Sequence, residues 1–186
     1  ILSNCINSKY RIGTTGTLDG TQTHRLVLEG LFGPVYKATT TSELIEKGQL
    51  ADFRIKCLIL KYDESIRQQA RKWDYNSEID YIVKSEARNT FIRNLTLSLK
   101  GNTLILYQYV EKHGKNLYDN IQSKAGKRKT FFVFGGTDTE IRESVRSILE
   151  NEDDAIVVAS YGTFSTGINI RNLHNIIFAS PSKSRI

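Results

Sequence analysis

A loop rich in hydroxyl side chains and glycines follows a short apolar run near the carboxyl end of the chain. Its members are Ser160, Gly162, Thr163, Ser165, Thr166 and Gly167, and the run before it is Val157-Val158-Ala159. Hydroxyl groups and backbone N–H groups can position phosphate oxygens without reading any base. Because loops at the carboxyl end of a buried parallel strand tend to carry function, we expect this loop to bind phosphate. A purely structural loop that caps the sheet is the alternative.

Two glycines and a predicted helix start form the second candidate. Gly135 and Gly136 would let a sugar-phosphate backbone approach closely, and Thr137 with Glu140 three residues later has the spacing of a capping box. A helix that begins there would direct its first N–H groups toward an anion, and Arg142 would add positive charge. The same residues also fit a capped helix with an exposed arginine that binds nothing.

The turn Thr14-Thr15-Gly16-Thr17 is the third candidate. Its hydroxyl groups could hydrogen-bond a phosphate or a neighbouring acidic loop. Threonine and glycine are ordinary turn residues, so the turn on its own favours a structural interpretation. Only its context in the chain can give it a functional one.

Several kinds of chemistry lack the residues they need. The two cysteines and three histidines show no metal-ligand or catalytic-triad spacing. There is no GxxxxGK[ST] loop and no acidic pair after a strand for Mg²⁺, so the sequence does not assemble a P-loop ATPase site. No apolar run approaches the roughly 20 residues of a membrane helix, and the start lacks the pattern of a signal peptide. We therefore expect no membrane partner and a cytoplasmic location.

The chain carries an excess of positive charge. It has 26 Lys and Arg against 20 Asp and Glu, a formal net charge of +6, which suits contact with phosphates at defined sites. The densest basic cluster comprises Lys124, Lys127, Arg128 and Lys129, just before an apolar run. We interpret this cluster as a solvated loop, because charge runs usually are solvated.

The elements that must position these residues follow from the apolar pattern. From Asn102 onward, short apolar runs alternate with segments of helical spacing. Strands are predicted at 103–107, 130–134, 154–159 and 175–179, and helices at 112–123 and 139–150. Strands that read as continuous apolar runs between helices indicate a parallel sheet covered on both faces. The predicted fold is a doubly wound α/β lobe.

The first hundred residues are less regular. We predict a helix near 23–30, a short helix at 42–47 with Ser42 as its N-cap and Gly48 as its stop, a strand over 53–62 and helices within 76–99. Residues 1–50 are interpreted as the end of a preceding α/β lobe, and residues 51–99 as a connecting strand and helices. Residues 100–186 would form the second lobe.

The order of these segments resembles the motifs of superfamily 2 helicases. Thr15-Gly16-Thr17 resembles motif III, 104–107 motif IV, Gly135-Gly136 with Arg142 motif IVa, and 160–169 motif V. The resemblance covers nearly the whole chain, and its motif V segment is the longest and most specific. It implies two RecA-like lobes that clamp ATP between them, with this chain holding the C-terminal helicase lobe and a remnant of the preceding one.

The resemblance also implies roles for individual residues. Thr15, Gly16 and Thr17 would couple the ATP state to DNA movement. The DNA backbone would be held by Gly136, Arg142, Ser160 and Thr163, while Gly167 and Asn169 would lie toward the nucleotide. Asn169 stands where many family members have Asp. The charged contact of that Asp with the ribose is therefore not implied for this chain.

The implied activity is that of an ATP-dependent DNA helicase or translocase. ATP and Mg²⁺ would be its cofactors, and single-stranded or branched DNA from recombination, repair or replication restart its substrate. The chain would run from motif III to a point before motif VI, without the Walker loop, acidic box and arginine finger, so alone it should be inactive. Two alternatives stay open: the motor subunit of a restriction enzyme, and a non-catalytic nucleic-acid-binding module on the same fold.

Overall fold

The computed structural model describes residues 8–16, 18, 20–164 and 170–181. The chain separates into two compact units, Ile1–Leu58 and Ile59–Ile186, which are described one at a time. The domain boundaries predicted at 50 and 99 stay predictions.

The first unit contains two helices and, within its described residues, no buried side chain. Helix α1 spans Gln22–Phe32 and α2 spans Thr41–Glu46. The N-cap of α2 is Thr40, not Ser42 as predicted. The Thr40 hydroxyl accepts from the Glu43 N–H (3.2 Å), and the Glu43 carboxylate accepts from the Thr40 N–H (3.4 Å). This reciprocal capping box satisfies two N–H groups at once, which a cap at Ser42 would not achieve.

The strand predicted over 53–62 is wrong. The chain there is irregular, and the side chains of Phe53, Ile55 and Ile59 are 64%, 80% and 85% exposed. Apolar alternation predicts a strand only where a neighbouring strand can pair with it. The described residues on either side supply no such strand.

The second unit is built on a parallel sheet that three helices precede. These are α3 Glu64–Ala70, α4 Tyr75–Lys84 and α5 Glu86–Ser98. The strands are β1 Thr103–Tyr107, β2 Thr130–Val133, β3 Ile156–Ser160 and β4 Asn175–Phe178, in the order β2-β3-β1-β4. The pairings are parallel throughout this sheet. The predicted α/β class with a parallel sheet is confirmed.

Helices lie on both faces of this sheet. They are α6 Lys115–Gln122, which follows a π-helical turn Val110–Gly114, together with α7 Thr139–Asn151 and the single turn α8 Tyr161–Phe164. One core packs α5 and α6 against alternate strand residues such as Ile105 and Val158, and the other packs α7 and α8 against Leu104 and Val157. Full burial of each such side chain contributes about 1.5–3 kcal/mol.

The strand order predicts a crevice at the carboxyl edge of the sheet. The chain leaves β1 toward β2 and leaves β3 toward β4, so the connections from these two adjacent strands run in opposite directions. In open α/β sheets, ligands bind where neighbouring connections diverge in this way. The crevice lies between the ends of β1 and β3, at Tyr107 and Ser160.

The opposite, amino edge is tied together by Asn102, which is fully buried. The two N–H hydrogens of its side-chain amide are shared among the carbonyl groups of Leu149 (2.9 Å), Glu152 (2.6 Å) and Asn172 (2.7 Å), and its carbonyl oxygen accepts from the Ala155 N–H (2.8 Å). One residue thus joins the starts of three strands, because it precedes β1 and its partners precede β3 and β4.

Arg128 makes a second tie at this edge. Its guanidinium donates to the carbonyl oxygens of Thr96 and Leu99 (both 3.1 Å) and Gly101 (3.2 Å), and it pairs with Asp154 at 2.8 Å. Only 14% of its side chain is exposed. The interpretation of the basic cluster as a solvated loop is therefore wrong for Arg128, since carbonyl groups rather than water satisfy its donors.

Candidate nucleic-acid interface

The loops that follow β2 and β3 lie side by side at the carboxyl edge of the sheet. Val133 pairs with Ala159 in the parallel register. The next residues are therefore neighbours, which brings the loop at 134–138 beside Ser160. The structure thus places three predicted phosphate-binding residues, Gly136, Ser160 and Thr163, on one edge.

Ser160 and Thr163 form a hydroxyl pair. Ser160 is the last residue of β3, Thr163 lies in α8, and their side-chain oxygens are hydrogen-bonded to each other. Thr163 is buried, at 5% exposure, while Ser160 is half-buried. Each hydroxyl has one proton to donate. When Thr163 donates to Ser160, the Ser160 proton is left available for an oxygen of a ligand.

The loop between β2 and α7 closes on itself through Thr137. The Thr137 hydroxyl accepts from the Phe134 N–H (3.0 Å), and the Thr137 N–H donates to the Phe134 carbonyl oxygen (2.9 Å). The predicted capping box of Thr137 with Glu140 is therefore wrong. Helix α7 begins at Thr139, with Asp138 as an N-cap that makes no side-chain hydrogen bond. The first N–H groups of this helix have no side-chain cap, which leaves them suited to an anion.

Gly136 has a packing reason as well as the predicted one. A Cβ at this position would lie 2.7 Å from Cε2 of Phe134, whereas a Cβ at Gly135 would meet nothing within 4 Å. The absence of a side chain at Gly136 lets the Phe134 ring fold over the loop. Gly135 is the more open of the two to an approaching backbone.

The Arg142 guanidinium has one hydrogen-bonded nitrogen and one buried nitrogen that has no partner among the described residues. Its Nη2 donates to the Thr139 hydroxyl (3.2 Å). Its Nε is buried, and no described residue accepts a hydrogen bond from it. A buried donor without an acceptor costs about 1–3 kcal/mol. An anion bound beside α7 would remove that cost.

His113 organises the crevice, and the sequence pattern did not identify it. The ring is fully buried; its Nε2 is 3.0 Å from the Asn89 Oδ1 and its Nδ1 is 2.9 Å from the Ser180 Oγ. The Asn89 amide donates to the Val83 carbonyl (2.9 Å) and the Ser180 oxygen accepts from the Gln108 N–H (3.0 Å). These contacts assign the proton of the neutral ring to Nε2.

The His113 ring stays uncharged at neutral pH. Burial, with a smaller effect of the Arg88 charge, lowers the pKa of His113 to about 4. The ring links α5, the end of β1 and the end of β4, residues separated by 24 and 67 positions in the chain. Local residue spacing in the sequence does not predict contacts between segments so far apart in the chain.

The other predicted residues are not joined to this edge by the structure. Thr15 and Gly16 belong to the first unit and lie in an irregular segment before its helices. Thr17, Gly167 and Asn169 lie outside the described residues. Within the part of the chain that the structure describes, no group of His, Cys, Asp or Glu side chains could hold a metal ion. No helix in that part has both the length and the apolar character to cross a membrane.

An all-parallel α/β sheet covered on both faces, with its polar loops at the carboxyl edge, has the architecture of a RecA-like helicase lobe. Sequence comparison shows that the chain is similar to a helicase. It is 33% identical, over 189 aligned positions, to the ATP-dependent DNA helicase uvsW of Enterobacteria phage T4. The alignment covers 100% of this chain but 37% of the helicase, so the chain spans little more than a third of that relative's length. No protein-family model matches the chain, and no solved structure gives a significant match.

Proposed function

We propose that the chain is the DNA-gripping part of an ATP-dependent DNA helicase or translocase that acts on branched DNA in recombination, repair or replication restart. The observation that carries this proposal is the similarity to a DNA helicase over the whole length of the chain. The geometry of the carboxyl edge supports it, because hydroxyls, glycines and an incompletely bonded arginine lie where a phosphate backbone would bind.

The proposed contacts are to the phosphates rather than to the bases. Ser160 and Thr163 present a hydroxyl pair, and Arg142 offers its Nε beside the uncapped start of α7. Hydroxyl, N–H and guanidinium donors fix the position of a nucleic-acid strand without reading its sequence. Such a grip lets a motor advance over any sequence.

ATP and Mg²⁺ are proposed as cofactors of the intact protein. Gly167 and Asn169 would lie toward the nucleotide, and Thr15, Gly16 and Thr17 would couple its state to DNA movement. The described residues contain no acidic cluster for Mg²⁺, so the metal would be held by residues other than those. The part of this chain in the cycle is to hold the strand.

A binding titration tests the proposed grip. We expect the 186-residue chain to bind a fluorescent single-stranded oligonucleotide, with a logarithmic affinity that falls linearly as the logarithm of the salt concentration rises. The double variant Ser160→Ala, Thr163→Ala should bind several-fold more weakly. Its matched control removes two exposed hydroxyls of α5, Thr90→Ala with Ser98→Ala, and should bind as the unmodified chain does. Binding without any salt dependence would reject phosphate contacts.

Hydrolysis of ATP gives an independent test. The chain alone should show no ATP turnover with or without DNA, because it contains no GxxxxGK[ST] loop. In the intact protein, the same double variant should lower DNA-stimulated ATP hydrolysis while leaving the unstimulated rate intact. Robust turnover by the purified chain would contradict the proposal.

A further inference from the structure

Arg88 is a partly buried cation with one buried, unsatisfied nitrogen, and no motif singled it out. It lies in the first turn of α5, and its Nη1 is buried with no hydrogen-bond partner among the described residues. Arginine stays charged in proteins and presents five N–H donors. Leaving one of them without an acceptor in a buried position costs free energy. The described residues therefore leave Arg88 short of one hydrogen-bond acceptor.

The neighbours of Arg88 are phenols rather than carboxylates. Burial lowers the pKa of its guanidinium, and the nearby phenols of Tyr62 and Tyr161 raise that pKa only when they are ionised, well above neutral pH. Among the described residues, no Asp or Glu exerts a comparable effect on Arg88. The positive charge is therefore not neutralised from within this part of the chain.

Arg88 belongs to the crevice at the carboxyl edge of the sheet. Tyr161 directly follows Ser160, and its hydroxyl donates to the Ser180 carbonyl (2.9 Å). The next residue after Arg88, Asn89, is hydrogen-bonded to His113 (3.0 Å), which also contacts Ser180. The start of α5 is thus anchored beside the residue that follows the proposed phosphate contact at Ser160.

A planar guanidinium that lacks an acceptor is best satisfied by an anion with several oxygens. We propose that Arg88 binds a phosphate of the DNA backbone, next to the phosphate held by Ser160 and Thr163, and so lengthens the grip across the crevice between β1 and β3. This assignment rests on the proposed function, because it takes the bound strand to be DNA. The shared chemistry is that of a phosphate group, which a nucleotide could also supply.

The test compares two arginines on one helix. Arg88→Met removes the unsatisfied guanidinium. Arg93→Met removes the same charge from a side chain that, within the described part of the chain, donates to its neighbour Asn94 (3.1 and 3.2 Å). Each variant of the 186-residue chain is titrated with fluorescent oligo-dT at several salt concentrations. Arg88→Met should weaken binding about five- to tenfold and reduce the salt slope by about one, as expected for one lost phosphate contact. Arg93→Met should change the affinity less than twofold.

Two further readouts separate ligand binding from a structural role. Without DNA, Arg88→Met should melt at the same temperature as the unmodified chain or higher, because the variant removes an unpaired buried charge. Arg88→Lys keeps the charge but loses the planar guanidinium, so its affinity for DNA should lie between those of the unmodified chain and of Arg88→Met. A clear drop in melting temperature for Arg88→Met, with DNA affinity unchanged, would overturn the proposal.

The outcomes also distinguish this inference from the proposed function. If Ser160→Ala, Thr163→Ala weakens DNA binding while Arg88→Met does not, the inference fails and the proposed function stands. If Arg88→Met lowers affinity for ATP but not for oligo-dT, the phosphate belongs to a nucleotide and the DNA assignment is overturned. If the unmodified chain shows no salt-dependent binding of DNA, both fail together.

Discussion

The two edges of the sheet treat buried polar groups in opposite ways. At the amino edge, Arg128 donates to four carbonyl groups and pairs with the Asp154 carboxylate, and Asn102 joins the starts of three strands. At the carboxyl edge, Arg88 and Arg142 each keep a buried nitrogen that no described residue satisfies. An arginine thus stabilises the fold at one edge, while the two arginines at the other edge keep donors that we propose are satisfied by phosphate.

Asn102 should show the largest effect on stability. Asn102→Ala leaves the Ala155 N–H and the carbonyl group of Asn172 without their side-chain partner. Each unsatisfied buried group costs about 1–3 kcal/mol, so the free energy of unfolding should fall by about 4 kcal/mol. Urea denaturation measures it. As a control, Asn94→Ala on the exposed side of α5 should change stability by less than about 0.5 kcal/mol. Equal effects would show that the amino edge is not a structural tie.

The buried imidazole of His113 should make stability depend on pH. The folded protein holds its pKa at about 4, below the ordinary value of 6.5, so between these values the unfolded chain binds more protons. The free energy of unfolding should therefore be highest above pH 6.5 and fall by about 3 kcal/mol as the pH drops to 4.

Urea denaturation at several pH values measures this dependence. His113→Gln should remove this part of the slope, while His24→Gln in the first unit should retain it. A slope that persists in His113→Gln would place its origin in other groups.

Arg128 should contribute to stability and not to DNA binding. Arg128→Met removes the guanidinium donor from the carbonyl groups of Thr96 and Leu99, and we expect a loss of about 2 kcal/mol in the free energy of unfolding. The adjacent exposed Lys127 gives the control, since Lys127→Met removes the same charge. A variant at Arg128 that folds normally but binds DNA poorly would reverse the assignment of the two edges.

Arg142 should show the smallest effect, and in binding rather than in stability. Arg142→Gln removes one proposed phosphate contact, so affinity for single-stranded DNA should fall several-fold, which corresponds to about 1 kcal/mol. Its melting temperature should not fall, because the variant removes a buried Nε that makes no hydrogen bond within the described residues. Fluorescence anisotropy and thermal denaturation on the same samples separate these results. Destabilisation with unaltered affinity would make Arg142 a structural residue.

The sheet was predictable from the sequence because its strands are buried on both faces. Such strands read as continuous apolar runs, and the predictions at 103–107 and 130–134 match β1 Thr103–Tyr107 and β2 Thr130–Val133 closely. The run at 53–62 failed because an isolated alternating segment has nothing to pair with. The capping box predicted for Thr137 and Glu140 is wrong because the Thr137 hydroxyl accepts from the Phe134 N–H in the preceding turn instead of capping α7.

The sequence predicted only part of the candidate site. Local composition identified the hydroxyl pair of Ser160 and Thr163. The environments of Arg88 and His113 depend on contacts between distant segments, such as the 67 residues that separate His113 from Ser180. Their chemistry arises from burial, which a local pattern does not reveal.

A comparison of two charge-matched double variants tests the central claim, that the carboxyl edge holds the DNA phosphates. Arg88→Gln with Arg142→Gln removes two charges from that edge, and Lys124→Gln with Lys127→Gln removes two exposed charges from the loop before β2. The measurement is the salt dependence of single-stranded DNA binding by each variant. We predict at least a tenfold loss of affinity and a salt slope reduced by about two for the arginine variant, with little change in either for the lysine variant. Equal losses from the two variants, or a larger loss from the lysine variant, would contradict the account.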